Sequence, residues 1–140
     1  MCGELFDNGI LRVVVPTDWK LFYGIDSECK VDPKKLHIYK NAQRELDIFH
    51  KAGVTVCLID TCISTKWFYD NVKDIEPMVL GNYQWNGYTC TSLGYPYTML
   101  ETTGDGFAIK VMILMENNGH TISLDDEDVR TLLESIEVVK

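Results

Sequence analysis

The chain has 140 residues, of which 46% are hydrophobic and 24% charged, and a formal net charge of −8. That length allows one domain, residues 1–140, with a sizeable core, and the composition is that of a globular protein. So acidic a chain repels phosphate backbones, which disfavours nucleic-acid binding, and the sequence has no run of 18 apolar residues, which argues against a membrane-spanning helix.

Residues 3–15 read as a hairpin. Asp7-Asn8-Gly9 is the turn, residues 4–6 the short arm and residues 10–15 the long arm, and Pro16 ends the strand because it has no N–H to give a ladder. Asp18 and Trp19 lead into a strand of Leu21, Phe22 and Tyr23, closed by Gly24. Residues 26–35 are polar, include Pro33 and read as a surface connection, and residues 36–39 as a strand. Residues 41–53 support two readings. Asn41 as N-cap, Ala42, Leu46, Phe49 and Ala52 at helical spacing, and Gly53 beyond the end favour a helix. Leu46, Ile48, Ala52, Val54, Val56 and Leu58 also alternate, and the balance tips to the helix. Residues 54–60 form a strand rich in β-branched side chains. Ser64 or Thr65 then caps a helix running to about Lys73, with Phe68 and Val72 inside and Trp67 nearby, and Pro77 marks the end of the next connection.

Three strands follow, at residues 83–92, 97–102 and 107–116, the last two joined by a Gly104-Asp105-Gly106 turn. In the third strand Phe107, Ile109, Val111, Ile113 and Met115 share one face, and Ala108, Met112 and Leu114 the other, broken by Lys110. A strand apolar on both faces is covered on both, so this one is expected at the centre of a sheet. Asn117-Asn118-Gly119 turns the chain and residues 120–122 pair back. Ser123 is the expected N-cap of a helix over residues 123–135. Asp125, Asp126, Glu127 and Asp128 sit where carboxylates suit the helix dipole, and Val129, Leu132, Leu133 and Ile136 form its buried stripe. Residues 137–139 return as an edge strand. The expected fold is α+β, a mostly antiparallel central sheet with helices packed on its faces.

The opening Asn8-Gly9 hairpin, the run Val15-Pro16-Thr17-Asp18-Trp19 and the closing Ile122-Ser123-Leu124-Asp125, Val129, Leu132 or Leu133 and Ser135-Ile136 together resemble small domains of the PsbP-like superfamily. That superfamily includes the extrinsic PsbP protein of photosystem II, the Ran-binding protein Mog and related bacterial domains. The resemblance spans the chain in order of elements on short motifs. It implies an α/β/α sandwich and a binding or assembly factor rather than an enzyme, and it carries over no ligand and no site residue.

Chemistry is sparse. Cys2, Cys29, Cys57, Cys62 and Cys90 show no metal-site spacing and are expected to be free thiols. His37, His50 and His120 have no Cys or carboxylate at ligand spacing. The four acids at 125–128 lack the alternating calcium-loop pattern, and no phosphate loop or hydrolase motif is present. No cofactor is therefore expected. Aromatic residues are the candidate binding group: Tyr83, Trp85, Tyr88, Tyr95 and Tyr97, with Trp67 and Tyr69 upstream. Tyr and Trp are enriched at interfaces because each joins apolar area to a polar handle. The expected function is a non-catalytic binding or assembly domain engaging a protein or cell-envelope partner. The competing reading is a small-molecule binder or hydrolase with a Tyr-lined pocket near residues 81–97. Met1-Cys2-Gly3 matches the start of a lipoprotein cut at its acylated cysteine, which would place the chain in the envelope or outside the cell. A piece cut from a longer protein would begin the same way, and without either the expected location is cytoplasmic.

Overall fold

The computed structural model describes residues 3–60 and 68–139. Its body is a seven-stranded antiparallel sheet in the order β3 (Trp19–Ile25), β4 (Val31–Lys40), β5 (Gly53–Ile59), β9 (Phe107–Leu114), β8 (Tyr95–Gly104), β7 (Tyr83–Ser92) and β6 (Asp70–Leu80). A smaller sheet orders β1 (Gly3–Asp7), β2 (Leu11–Pro16) and β12 (Glu137–Val138), while β10 (Glu116–Asn117) and β11 (His120–Thr121) form a short ribbon. The described residues contain one α-helix, α1 (Glu127–Ser135).

The apolar third strand of the sequence, β9, is the fourth of seven, between β5 and β8. On one face Ile109, Val111 and Ile113 join Leu36, Ile38, Val54, Val56, Leu100 and Trp85 in the main core. The layer above them supplies Leu11 and Val13 from β2 and Val129, Leu132, Leu133 and Ile136 from α1 and its C-cap, all at most 1% exposed. On the far face Leu114 and Met112 join two smaller clusters centred on Tyr39 and on Tyr88.

The structure overturns the α+β expectation. It is mainly β, with helix on one face of the large sheet only among the described residues. Residues 41–53 do not form the expected α-helix. Asn41 takes a left-handed φ of 61°, which ends β4, and only a 3-10 turn, Glu45–Phe49, follows. Its Leu46 and Phe49 are exposed, so the helical spacing there had no core to meet. Of the helix expected from Ser64 or Thr65 to Lys73, residues 64–67 lie outside the described residues, and from Asp70 the chain is strand. Pro77 lies inside β6 rather than ending a connection, which an edge strand tolerates. Residues 31–35, expected as surface connection, extend β4.

α1 also starts later than expected. Asp126 is its N-cap, and Ser123 instead accepts the Asp125 N–H on Oγ at 3.2 Å while its own N–H goes to Asp126 Oδ2 at 2.9 Å. The helix is pinned at both ends. Trp19 Nε1 donates to Asp128 Oδ2 at 3.1 Å, and Lys40 Nζ sits 3.4 Å from the same oxygen. At the other end Ser135 Oγ accepts the Val14 N–H at 2.7 Å. There the β6–β7 turn abuts the helix at Gly81, whose φ is 65°, and a Cβ at that position would run into the Glu134 carbonyl oxygen.

Leu132→Ala and Leu133→Ala should each cost about 2–5 kcal/mol, because a cavity adds to the lost transfer energy. Ser123→Ala, removing one exposed bond, should stay within about 0.5 kcal/mol. Urea unfolding of the three variants checks the order; a serine change as costly as the leucine changes would mean that the 123–126 turn, and not the apolar stripe, holds the helix.

Candidate functional site

The aromatic residues do not share a surface. Side chains alternate along a strand, so Tyr83 and Trp85 on β7 face the main core while Tyr88, an odd step further, faces the other way. Trp85 is 0% exposed and its indole N–H meets no acceptor among the described residues; Tyr88 is 2% exposed. Tyr83 stands edge-on to Trp85 and Phe107, and its hydroxyl accepts the Val138 N–H at 3.1 Å. Tyr97 and Tyr69 pack into the far-face clusters with Cys90, Met99 and Met112. Tyr95 is exposed beside the Leu93-Gly94 turn. Trp67 lies outside the described residues.

Shifts on the far face favour neutral groups. Burial pushes the Cys57 and Cys90 thiols up, and the Tyr39 phenol up to about 12. Burial and then the nearby Lys35 charge hold His37 below its usual value, with its Nδ1 2.9 Å from Thr55 Oγ1. Activating a thiol nucleophile requires the opposite shift, toward thiolate. Cys29, Cys57 and Cys90 are free, while Cys2 and Cys62 lie outside the described residues. No cluster of potential metal ligands occurs among the described residues.

A groove of about 590 Å³ lies between β1 and β3, walled by Glu4, Phe6, Asp18, Trp19 and Leu21. Its margins are strand edges. The Asn41 N–H bonds the Asp18 carbonyl and the Lys40 N–H turns to Ala52, so Asp18 and Asn41 are a hydrogen-bonded pair and Trp19 and Lys40 are not. By that alternation the backbone groups of Trp19, Leu21 and Tyr23 point away from β4. Asn8 and Leu11 set the same phase in β1, directing Gly3, Leu5 and Asp7 outward. β6, the opposite edge of the large sheet, differs. It carries Pro77, charged Asp70, Lys73, Asp74 and Glu76, and two register shifts, the devices that blunt an edge. The sequence signal that separates them is the Trp19-Lys20-Leu21-Phe22-Tyr23 run, with one charge and no proline, of which the sequence pattern marks only Leu21, Phe22 and Tyr23 as strand.

A second cavity, of about 400 Å³, opens where the β1–β2 and β8–β9 turns meet, between Ile10, Leu58, Tyr83, Phe107 and Val138. Lys34, Asp60 and Asp105 stand at its wall.

No family model and no curated protein matches the chain. A crystal structure from Bacteroides thetaiotaomicron VPI-5482 is similar at a TM-score of 0.57 and 13% identity, covering 100% of this chain and 50% of that one. The chain thus spans about half the length of that protein, with which it shares a fold. Mycobacterium tuberculosis LpqN, described as involved in cell envelope biogenesis, is similar at a TM-score of 0.45 and 13% identity, over 93% of this chain and 83% of that one.

One exposed residue of this region is conformationally strained. Leu93 has φ 52° and is 94% exposed, at the first position of a two-residue turn that favours Asn or Gly. Leu93→Asn should raise stability by roughly 0.5–1 kcal/mol, since it relieves the left-handed backbone and gives up no burial. Thermal unfolding checks this; a lower melting temperature would show that Leu93 is packed in solution.

Proposed function

We propose that the chain is a non-catalytic binding or assembly domain whose partner is a protein. The open edges of β1 and β3, with an apolar-floored groove between them, carry this reading. Unpaired strand edges are templates for another chain, and natural proteins blunt those they do not use. The neutral-favouring environments of the far-face thiols and phenols support it further. A relation to the PsbP-like superfamily belongs to the same proposal. Two of the three segments that carry the resemblance, remote in sequence, are brought together where Trp19 donates to Asp128, the neighbour of the motif residue Val129. Sequences intermediate between the groups would support the relation, and intermediates leading to another fold would end it.

A photocrosslinking amino acid at exposed Leu5, beside the groove, should yield one discrete protein adduct in extracts of the source cells. The same residue at Val79, 72% exposed on the blunted β6 edge, should yield none. Adducts of equal yield from both positions, or none from Leu5, would count against the reading.

The cavity beside Tyr83 favours a second reading, a small apolar ligand. Tyr83 is the one tyrosine in its wall, so the pocket is not the Tyr-lined site expected near residues 81–97. Under this reading an apolar fragment that raises the melting temperature should lose that effect in Ile10→Trp, which fills the cavity. An unchanged shift in the filled variant would sink it.

A further inference from the structure

We infer that β3 accepts an extended segment of a partner protein as an eighth strand of the large sheet, and that this segment carries a basic side chain facing Glu4 and Asp18. The inference rests on the protein-binding reading above and adds the mode of binding and the chemistry of the partner.

The first support is the hydrogen-bonding frame. Trp19, Leu21 and Tyr23 present N–H and C=O groups at every second residue, which is the repeat of a β-ladder. Among the described residues β4 is the one strand paired with β3, so Leu21 and Tyr23 have no ladder partner on their free side. A partner strand satisfies the whole row at once; a compact surface cannot. The second support is the absence of edge protection. β3 has no proline and, at Lys20, a single charge, and its one register shift falls at Tyr23/Gly24, past most of the row. β6 has a proline, four charges and two such shifts.

The third support is charge. Glu4 hangs from the inward face of β1, in phase with Phe6, whose ring meets Tyr23 at 6.1 Å. Asp18 stands at the head of β3. Both residues line the groove, and neither carboxylate forms an ion pair among the described residues. A strand laid beside β3 sits about 4.8 Å beyond it, and its alternate residues point into the groove. The position opposite Leu21 would meet Phe6 and Leu21 and favours an aliphatic side chain. The position opposite Trp19 would come under Glu4 and beside Asp18 and favours Lys or Arg. The net charge of −8 adds long-range attraction for a basic segment.

The probe is a nine-residue peptide alternating Thr with Val around one central Lys, compared with the same peptide carrying Glu. Amide hydrogen exchange of the intact chain is followed by NMR. The Lys peptide at millimolar concentration should slow exchange of the Leu21 and Tyr23 amides at least tenfold, and the Glu peptide should not. Leu21→Pro should abolish the effect, because that N–H points away from β4 and its loss spares the existing ladder. The Glu4→Lys, Asp18→Lys double variant should reverse the preference between peptides, which keeps the test decisive if the proline variant fails to fold. Peptide binding without slowing at these two amides, or no slowing with either peptide, overturns the inference. So does slowing that needs no peptide and grows with protein concentration, since the occupant is then a second copy of this chain. An overturned edge with a surviving crosslink at Leu5 leaves the protein-binding reading standing; loss of both ends both.

Discussion

The apolar layer between the large sheet and the pair α1 and β2 is the constraint on which the rest of the structure depends. The large sheet offers Leu36, Ile38, Val54, Val56, Ile109, Val111 and Ile113 on one face, and Leu11, Val13, Ile122 and the α1 stripe cover them, with Phe6, Ile10, Val15, Leu124 and Val138 packed around. That requirement fixes where a nine-residue helix must lie, and the chain spends specific contacts to keep it there. Asp128 is held by Trp19 and Lys40 at one end, Ser135 by Val14 at the other, and the Gly81 turn closes over Glu134. So short a helix gains little from its own hydrogen bonds, and most of its stability comes from the packed face.

The same packing arrangement creates the groove. β1 and β2 lie over the main core, and β12 occupies the free side of β2 immediately after the helix ends. β1 is therefore left at the margin of the small sheet, near the margin of the large one at β3. Phe6 and Tyr23 join the two margins at one point, and beyond it they part. Two adjacent open edges are a consequence of covering a seven-stranded sheet with a layer narrower than itself.

The sequence shows the core-facing strands and α1 well, and it misses β6 and the short turn at Glu45–Phe49, for a physical reason. Turn signals mark β2, β-branched side chains mark β5 and apolar residues at alternate positions mark β9, and each of these strands has one face on the main core, where burial imposes the pattern directly. The both-faced apolar character of β9 located the middle of the sheet. Helical spacing in residues 41–53 misled because it arises by chance among a few apolar residues in a connection whose Leu46 and Phe49 face solvent. The acids at 125–128 marked a helix start, but the cap passed from Ser123 to Asp126 once Ser123 was engaged in its own local turn. The aromatic cluster was legible as composition and not as a site. Alternation divides fifteen neighbouring residues between two faces, and Trp85 and Tyr88 are spent on packing.

The two ends of the large sheet argue most directly about function. Both are edge strands under the same risk of unwanted pairing, and they share one chain, so composition bias cannot explain why one is defended and the other open. β6 breaks its ladder twice, places charges along its length and includes a proline. Each of these weakens pairing with β7 as well, so they cost stability and are retained where aggregation would cost more. β3 carries none of that burden along Trp19, Leu21 and Tyr23, and its groove adds two carboxylates without ion-pair partners among the described residues. An edge that is left open beside a concave, charged and apolar channel has the features of a binding surface. The proposed partner binding rests on the unequal treatment of the two edges rather than on the aromatic content of the chain.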